Sequence, residues 1–164
     1  MRLDGITGLG ALAQSMQPDP PMTTVAALAE QSPRKARKIV IADDSPEMRW
    51  LVRSVVESDF DEVVEVADGR QLLWELLRSS FASNETATAA VIIADLAMPA
   101  YSGLDIIDVW RDLNPTTPTI LITAFPSEAV RARAAQLGAV VLAKPFSTSA
   151  LRDVIGEAIG ERAR

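Results

Sequence analysis

Ile39-Val40-Ile41-Ala42-Asp43-Asp44-Ser45-Pro46-Glu47 is the stretch whose reading decides the fold of this chain. Its first four residues are apolar, β-branched-rich and continuous rather than alternating. That pattern belongs to a short strand covered on both faces. An acidic pair ends the run, and a helix start follows at once. Ser45 stands as N-cap, Pro46 at the first helical position and Glu47 in the first turn. Met48, Leu51, Val52, Val55 and Val56 then keep the spacing of one helix face.

The same alternation continues outward. Apolar runs recur at residues 63–67, 89–94, 119–123 and 139–143. Between them lie the helical stripes Leu72, Leu73, Leu76, Leu77 and Leu104, Ile107, Trp110, and after the last run Leu151, Val154, Ile155, Ala158, Ile159. Residues 127–137 are rich in Ala and Arg and only weakly amphipathic. Strands alternating with helices predict an α/β chain: a doubly wound five-stranded parallel sheet with helices on both faces, over residues 38–164. Residues 1–37 lack this periodicity. Gly5, Gly8, Gly10 and Pro18-Asp19-Pro20-Pro21 break any helix there, so a disordered arm is expected. The apolar stretch at residues 6–13 is interrupted by glycines and flanked by Asp4, which argues against a signal peptide. Met22 offers an alternative start. The loop over residues 81–90 is longer than a short helix–strand connection and reads as a surface excursion.

Composition narrows the chemistry. The 164 residues include no Cys and no His. Thiolate nucleophiles, disulfides, imidazole metal ligands and Ser-His-Asp catalysis are therefore excluded. The net charge is −6, with +2 over residues 1–38 and −8 over the remainder. This acidic balance argues against nucleic acid as a partner. No apolar run approaches the roughly 18 residues of a membrane span. A cytoplasmic protein is expected.

In doubly wound sheets the functional site lies beyond the carboxyl ends of the strands. Those ends carry Asp43-Asp44, Asp95, Thr123 and Lys144. Each has a bland explanation: helix capping for the acidic pair, an ordinary strand end for Asp95 and Thr123, a turn for Lys144-Pro145. What the bland account does not explain is their falling on one edge. Two unit charges about 4 Å apart repel by about 4 kcal/mol at an effective dielectric of 20, so three carboxylates together call for a cation. With oxygen ligands alone, the natural ion is Mg²⁺, which commonly partners a phosphoryl group. Lys144 would supply a point charge, Thr123 a hydroxyl donor, and one carboxylate could form an acyl phosphate.

Residues 38–161 resemble the receiver domain of two-component response regulators. The matching elements are Ile39-Val40-Ile41-Ala42-Asp43-Asp44-Ser45, Ala67-Asp68-Gly69, Asp95-Leu96-Ala97-Met98-Pro99 with Gly103, Ile122-Thr123-Ala124, and Lys144-Pro145-Phe146. The resemblance implies a flavodoxin-like sheet of strand order 2-1-3-4-5. It implies Asp95 as phosphoacceptor and Mg²⁺ held by Asp44, Asp95 and the backbone carbonyl of Ala97, with Asp43 acting directly or through a water. It also implies Lys144 as phosphoryl ligand before a cis proline, Thr123 as switch hydroxyl and Ala124 as the small residue that keeps the acceptor accessible. The implied donor is a sensor histidine kinase or histidine phosphotransfer protein. Because residues 127–137 have little apolar anchorage and Val141 has no ring to rotate, the downstream partner surface is expected on the face formed by residues 127–137, 140–143 and 147–159.

Three positions depart from the family pattern: Val141 stands where an aromatic switch residue is common, Ala97 where polar side chains are frequent, and Phe125 two residues past the switch threonine. The chain ends about 15 residues beyond Ala150, so a stand-alone receiver is expected rather than one with a DNA-binding output domain. A phosphorylation-independent interaction module is the main alternative, motivated by Val141. A magnesium phosphohydrolase of the haloacid-dehalogenase type fits worse, since its carboxylates flank one residue and follow its first strand. A P-loop NTPase is excluded by the absence of Gly-x-x-x-x-Gly-Lys.

Overall fold

A computed structural model describes residues 37–81 and 89–160. The arm over residues 1–36, the apolar stretch at 6–13, Met22 and the interior of the 81–90 loop lie outside the described residues. The elements run β1 (Lys38–Ala42), α1 (Pro46–Val56), β2 (Glu62–Val66), α2 (Gly69–Phe81), β3 (Val91–Asp95), α3 (Gly103–Leu113), β4 (Thr119–Thr123), α4 (Glu128–Gln136), β5 (Ala139–Ala143) and α5 (Thr148–Ala158). The five strands pair in parallel in the order β2-β1-β3-β4-β5, the flavodoxin-like topology.

Continuous apolar strands need cover on both faces, and the core divides accordingly. On one face Val40, Ala94 and Leu121 meet Leu72, Leu76, Ile107 and Trp110 from α2 and α3. On the other Ile41, Ile93 and Ile120 meet Val52, Val55, Leu151 and Ile155 from α1 and α5. Fully burying one such side chain is worth about 1.5–3 kcal/mol, so α3, which buries Ile106, Ile107 and Trp110, is firmly seated. α4 buries only Ala134. Its exposed Arg133–Asp108 ion pair to α3 adds at most about 1 kcal/mol. Serines cap four of the five helices: Ser45, Ser102, Ser127 and Ser147 each accept an N–H from the first turn.

The expected strand limits shift slightly. β2 lies one residue earlier than the apolar run suggests, and β3 begins at Val91 rather than Ala89 and ends, as expected, at Asp95. The reason is pairing, which apolar composition does not report: β3 starts where it comes into register with β1, at Val91 opposite Ile39. Arg37, counted with the arm, belongs to the domain edge, since its N–H donates to Asp61 and its guanidinium lies 4.9 Å from the Phe60 ring centroid.

At the opposite edge of the sheet from Asp95, the buried Lys38 ammonium donates to Glu75 at 2.5 Å and to Ser79 at 3.0 Å. Burial pushes the Glu75 carboxyl up, but hydrogen bonds from Arg78 and Lys38 outweigh it and hold it below its ordinary value. Its stabilisation is therefore present above the ordinary carboxylate range and is lost as pH falls through the lowered folded value. Lys38→Met should cost about 1.5–3 kcal/mol in urea unfolding at pH 7, because the Glu75 carboxylate loses its buried cation and keeps only the exposed Arg78 guanidinium. The double variant Lys38→Met with Glu75→Leu should recover most of that loss. A double variant as unstable as the single one would contradict this.

Candidate functional site

The sheet register brings the site together. Ala42 pairs with Ala94, so Asp43, the first residue past β1, lies beside Asp95, the last residue of β3. Thr123 pairs with Ala143, which sets Lys144 one step beyond the threonine on the neighbouring strand. The Lys144 N–H continues the ladder by donating to the Thr123 carbonyl at 2.7 Å. The Lys144–Pro145 bond is cis, as the resemblance implies.

One carboxylate oxygen from each of Asp43, Asp44 and Asp95 lies within 4.8 Å of the other two. Asp43 and Asp95 are buried and Asp44 is exposed, so the cluster opens to solvent on one side. The Lys144 ammonium donates to Asp43 at 2.8 Å and stands 3.5 Å from Asp95. The Ser45 N–H donates to the other Asp43 oxygen at 2.9 Å, and the Arg49 guanidinium to the Asp43 carbonyl at 2.7 Å. The Asp43 end of β1 is thus pinned from α1. The donor set is all oxygen, hard and anionic, and this cluster can hold a metal ion.

Asp95 feels the competing forces most directly. Burial pushes its carboxyl above the ordinary range; the Lys144 charge pulls the other way, Asp43 adds to the rise, and the Ala97 N–H and Lys144 hydrogen bonds oppose it. The net direction is upward.

Thr123 is buried, and its hydroxyl oxygen accepts the Phe125 N–H at 3.1 Å. Ala97, Ala124 and Phe125 are exposed, while Val141 is half-buried against the α2–α3 side of the core. The residues singled out from the strand ends are therefore brought together at one rim, with Val141 set apart from the cluster within β5. Sequence reasoning missed Arg49 and the stronger hold of Lys144 on Asp43. Arg49 lies one turn after Ser45, so a helix starting there carries it back toward the strand end.

Comparison with known proteins fits this geometry. Residues 39–156 match the family model of the response regulator receiver domain. The chain belongs to that family. It is 31% identical over 119 residues to the alkaline phosphatase synthesis transcriptional regulatory protein SphR of Synechococcus elongatus, covering 71% of this chain and 46% of that protein. It is 32% identical over 111 residues to the transcriptional regulatory protein CpxR of Escherichia coli K12, covering 67% of this chain and 44% of that protein. The chain thus spans under half the length of these curated relatives. Among solved structures it resembles the chemotaxis protein CheY4 of Vibrio cholerae, with TM-score 0.63 and 26% identity, covering 75% of this chain and 98% of that one. Receiver domains are signalling domains that interact with histidine kinases and phosphotransfer proteins. No helix among the described residues of this receiver is long and apolar enough to cross a membrane.

The raised Asp95 pKa has a consequence for stability. A carboxyl whose folded pKa lies above its unfolded value disfavours the folded state once it is ionised, and protonation relieves that cost. In chelator at pH 7, Asp95→Asn should therefore melt above the wild type, and the gap should narrow as pH falls through the raised Asp95 value. A lower melting temperature for Asp95→Asn under these conditions would mean that Asp95 stabilises the fold instead.

Proposed function

We propose that this receiver is a phosphorylation-dependent signalling switch or phosphorelay intermediate that accepts a phosphoryl group on Asp95. The switch comprises residues 38–164, preceded by an arm over residues 1–37, and works in the cytoplasm. The observation that carries the reading is the meeting of a buried strand-end carboxylate, two further carboxylates, an ammonium and a buried hydroxyl within one rim.

The donor set suits Mg²⁺, with Asp43, Asp44, Asp95 and the backbone carbonyl of Ala97 as the proposed ligands. When bound, the ion would supply positive charge to phosphoryl oxygens. An Asp95 carboxylate oxygen attacks the phosphorus of a phosphohistidine on a sensor histidine kinase or histidine phosphotransfer protein. A P–O bond forms, the P–N bond breaks, and the imidazole leaves with the donor. With no His of its own, the chain depends on such a partner or on a small phosphodonor. Lys144 turns from its carboxylate neighbours to a phosphoryl oxygen as a point charge. Ala124 leaves the approach unobstructed. Beyond accepting and slowly losing the phosphoryl group, no catalytic turnover is proposed.

The new phosphoryl oxygen offers an acceptor for the Thr123 O–H, whose oxygen now accepts from the Phe125 N–H. Moving inward, the hydroxyl gives up that 3.1 Å bond and draws the following loop with it. α4 is the helix that yields, because Ala134 and one exposed ion pair anchor it. Val141 has no ring to rotate, so the signal passes through backbone and helix displacement. The proposed partner surface is a protein-binding face formed by residues 127–137, 140–143 and 147–159; neither nucleic acid nor membrane is proposed as a partner. Val141 is also what favours the second reading, a module that binds its partner without phosphorylation.

Acetyl phosphate with Mg²⁺ should add the mass of one phosphoryl group to the intact protein and none to Asp95→Asn. Full labelling of that variant would move the acceptor elsewhere, and no labelling of either protein would favour the unphosphorylated module. Beryllofluoride with Mg²⁺ should shift the amide resonances of residues 124–137. Shifts confined to the surroundings of Asp43, Asp44 and Asp95 would refute the output route.

A further inference from the structure

The loop that follows Asp95 is held from outside the acidic cluster. Its Leu96 N–H donates to Ile122 at 2.9 Å, and its Leu96 carbonyl accepts from Gly103 at 3.2 Å. The Pro99 carbonyl accepts two donors, Tyr101 within the loop at 3.0 Å and Gly69 at the start of α2 at 3.1 Å. Between them Ala100 holds φ +72°, a left-handed conformation that costs an L-residue about 1–2 kcal/mol. The turn keeps this strain because its surroundings over-determine it.

Gly69 is the closest of those surroundings. A Cβ at Gly69 would sit 2.3 Å from the Tyr101 carbonyl oxygen, 2.9 Å from Tyr101 Cβ and 3.0 Å from Ile106 Cδ1. The nearest of these is backbone, which cannot swing aside as a flexible side chain can. Any side chain at position 69 must push the turn away by about 1 Å to reach ordinary contact distance. The turn leads straight back through Leu96, which Ile122 and Gly103 hold, to Asp95 at the end of β3, with Ala97 only two residues beyond that carboxylate.

We propose that Gly69, through its N–H to Pro99 and its lack of a side chain, is a positioning residue that sets the Ala97–Tyr101 turn against the Asp95 carboxylate. This rests on the reading of Asp95 as acceptor. Gly69 precedes Asp95 by a whole helix and strand crossover, so the start of α2 becomes part of the site's geometry without touching the reacting atoms.

The test uses acetyl phosphate and Mg²⁺ on the full chain, with the labelling rate read by intact mass and the fold by melting temperature. A displacement of about 1 Å costs reactions of this kind on the order of 10²-fold, so Gly69→Ala should label about 10²-fold more slowly. Its Ala97 amide resonance should shift as well. A core variant chosen to melt at the same temperature, Val55→Ala, should label at the wild-type rate, which separates positioning from stability. If Gly69→Ala does not fold, Tyr101→Gly decides: this exposed-residue change loosens the turn and should slow labelling several-fold at nearly unchanged melting temperature. Gly69→Ala folded and labelling at the wild-type rate would overturn the proposal, as would Tyr101→Gly doing so. A wild type that never labels would instead remove Asp95 as acceptor.

Discussion

Charge imbalance at one rim of the sheet is what the rest of this receiver is organised around. Three carboxylates converge where the Lys144 ammonium provides the positive charge, bonded to Asp43 at 2.8 Å and farther from Asp95 at 3.5 Å. Burial adds to the cost, and the upward shift of Asp95 records it. A rim in this condition favours whatever brings further positive charge, first a divalent cation and then the oxygen-rich group such a cation accompanies. The function proposed for the domain is a way of using that imbalance.

Maintaining like charges at close range takes a rigid frame. Both faces of the sheet are sealed by apolar helices, so the strand ends stay in register while the carboxylates repel. Arg49 and Ser45 fix Asp43 from α1, and Gly69 and Gly103 allow two helix starts to press on the segment around Asp95. A Cβ at Gly103 would meet the Asp95 carbonyl oxygen at 2.5 Å. Rigidity is then relaxed in one place. α4 carries little buried surface, and among the described residues the Thr123 hydroxyl is engaged by a single backbone donor, so a displacement there costs little.

Much of this was legible in the residues alone. Continuous apolar runs alternating with helical stripes specify the parallel sheet because both faces must be covered, and strand-end residues of such a sheet gather at one rim. Thus Asp43, Asp44, Asp95, Thr123 and Lys144 could be read off without a structure. What was not legible depends on register and close approach. The start of β3 at Val91 follows from pairing with β1 and β4, and the hold of Lys144 on Asp43 depends on where β5 ends relative to β1. The closeness of Gly69 to the Tyr101 carbonyl joins segments far apart in the chain. Glu75 did carry a signal: a charge one residue from Leu76 and three from Leu72 lies on their buried helix face and calls for a partner, which proves to be Lys38.

The claim that unbalanced carboxylate charge defines the site is tested most directly by the melting temperature of the unphosphorylated protein against Mg²⁺ concentration at constant ionic strength. An ion that binds the folded rim alone stabilises by RT ln(1 + [L]/Kd), so the melting temperature should climb with the logarithm of Mg²⁺ once the site is half-filled, while Na⁺ substituted at equal ionic strength leaves it flat. The climb should vanish when Asp44 is replaced by Ala. A melting temperature that responds equally to both salts, or a climb that survives Asp44→Ala, would contradict the account.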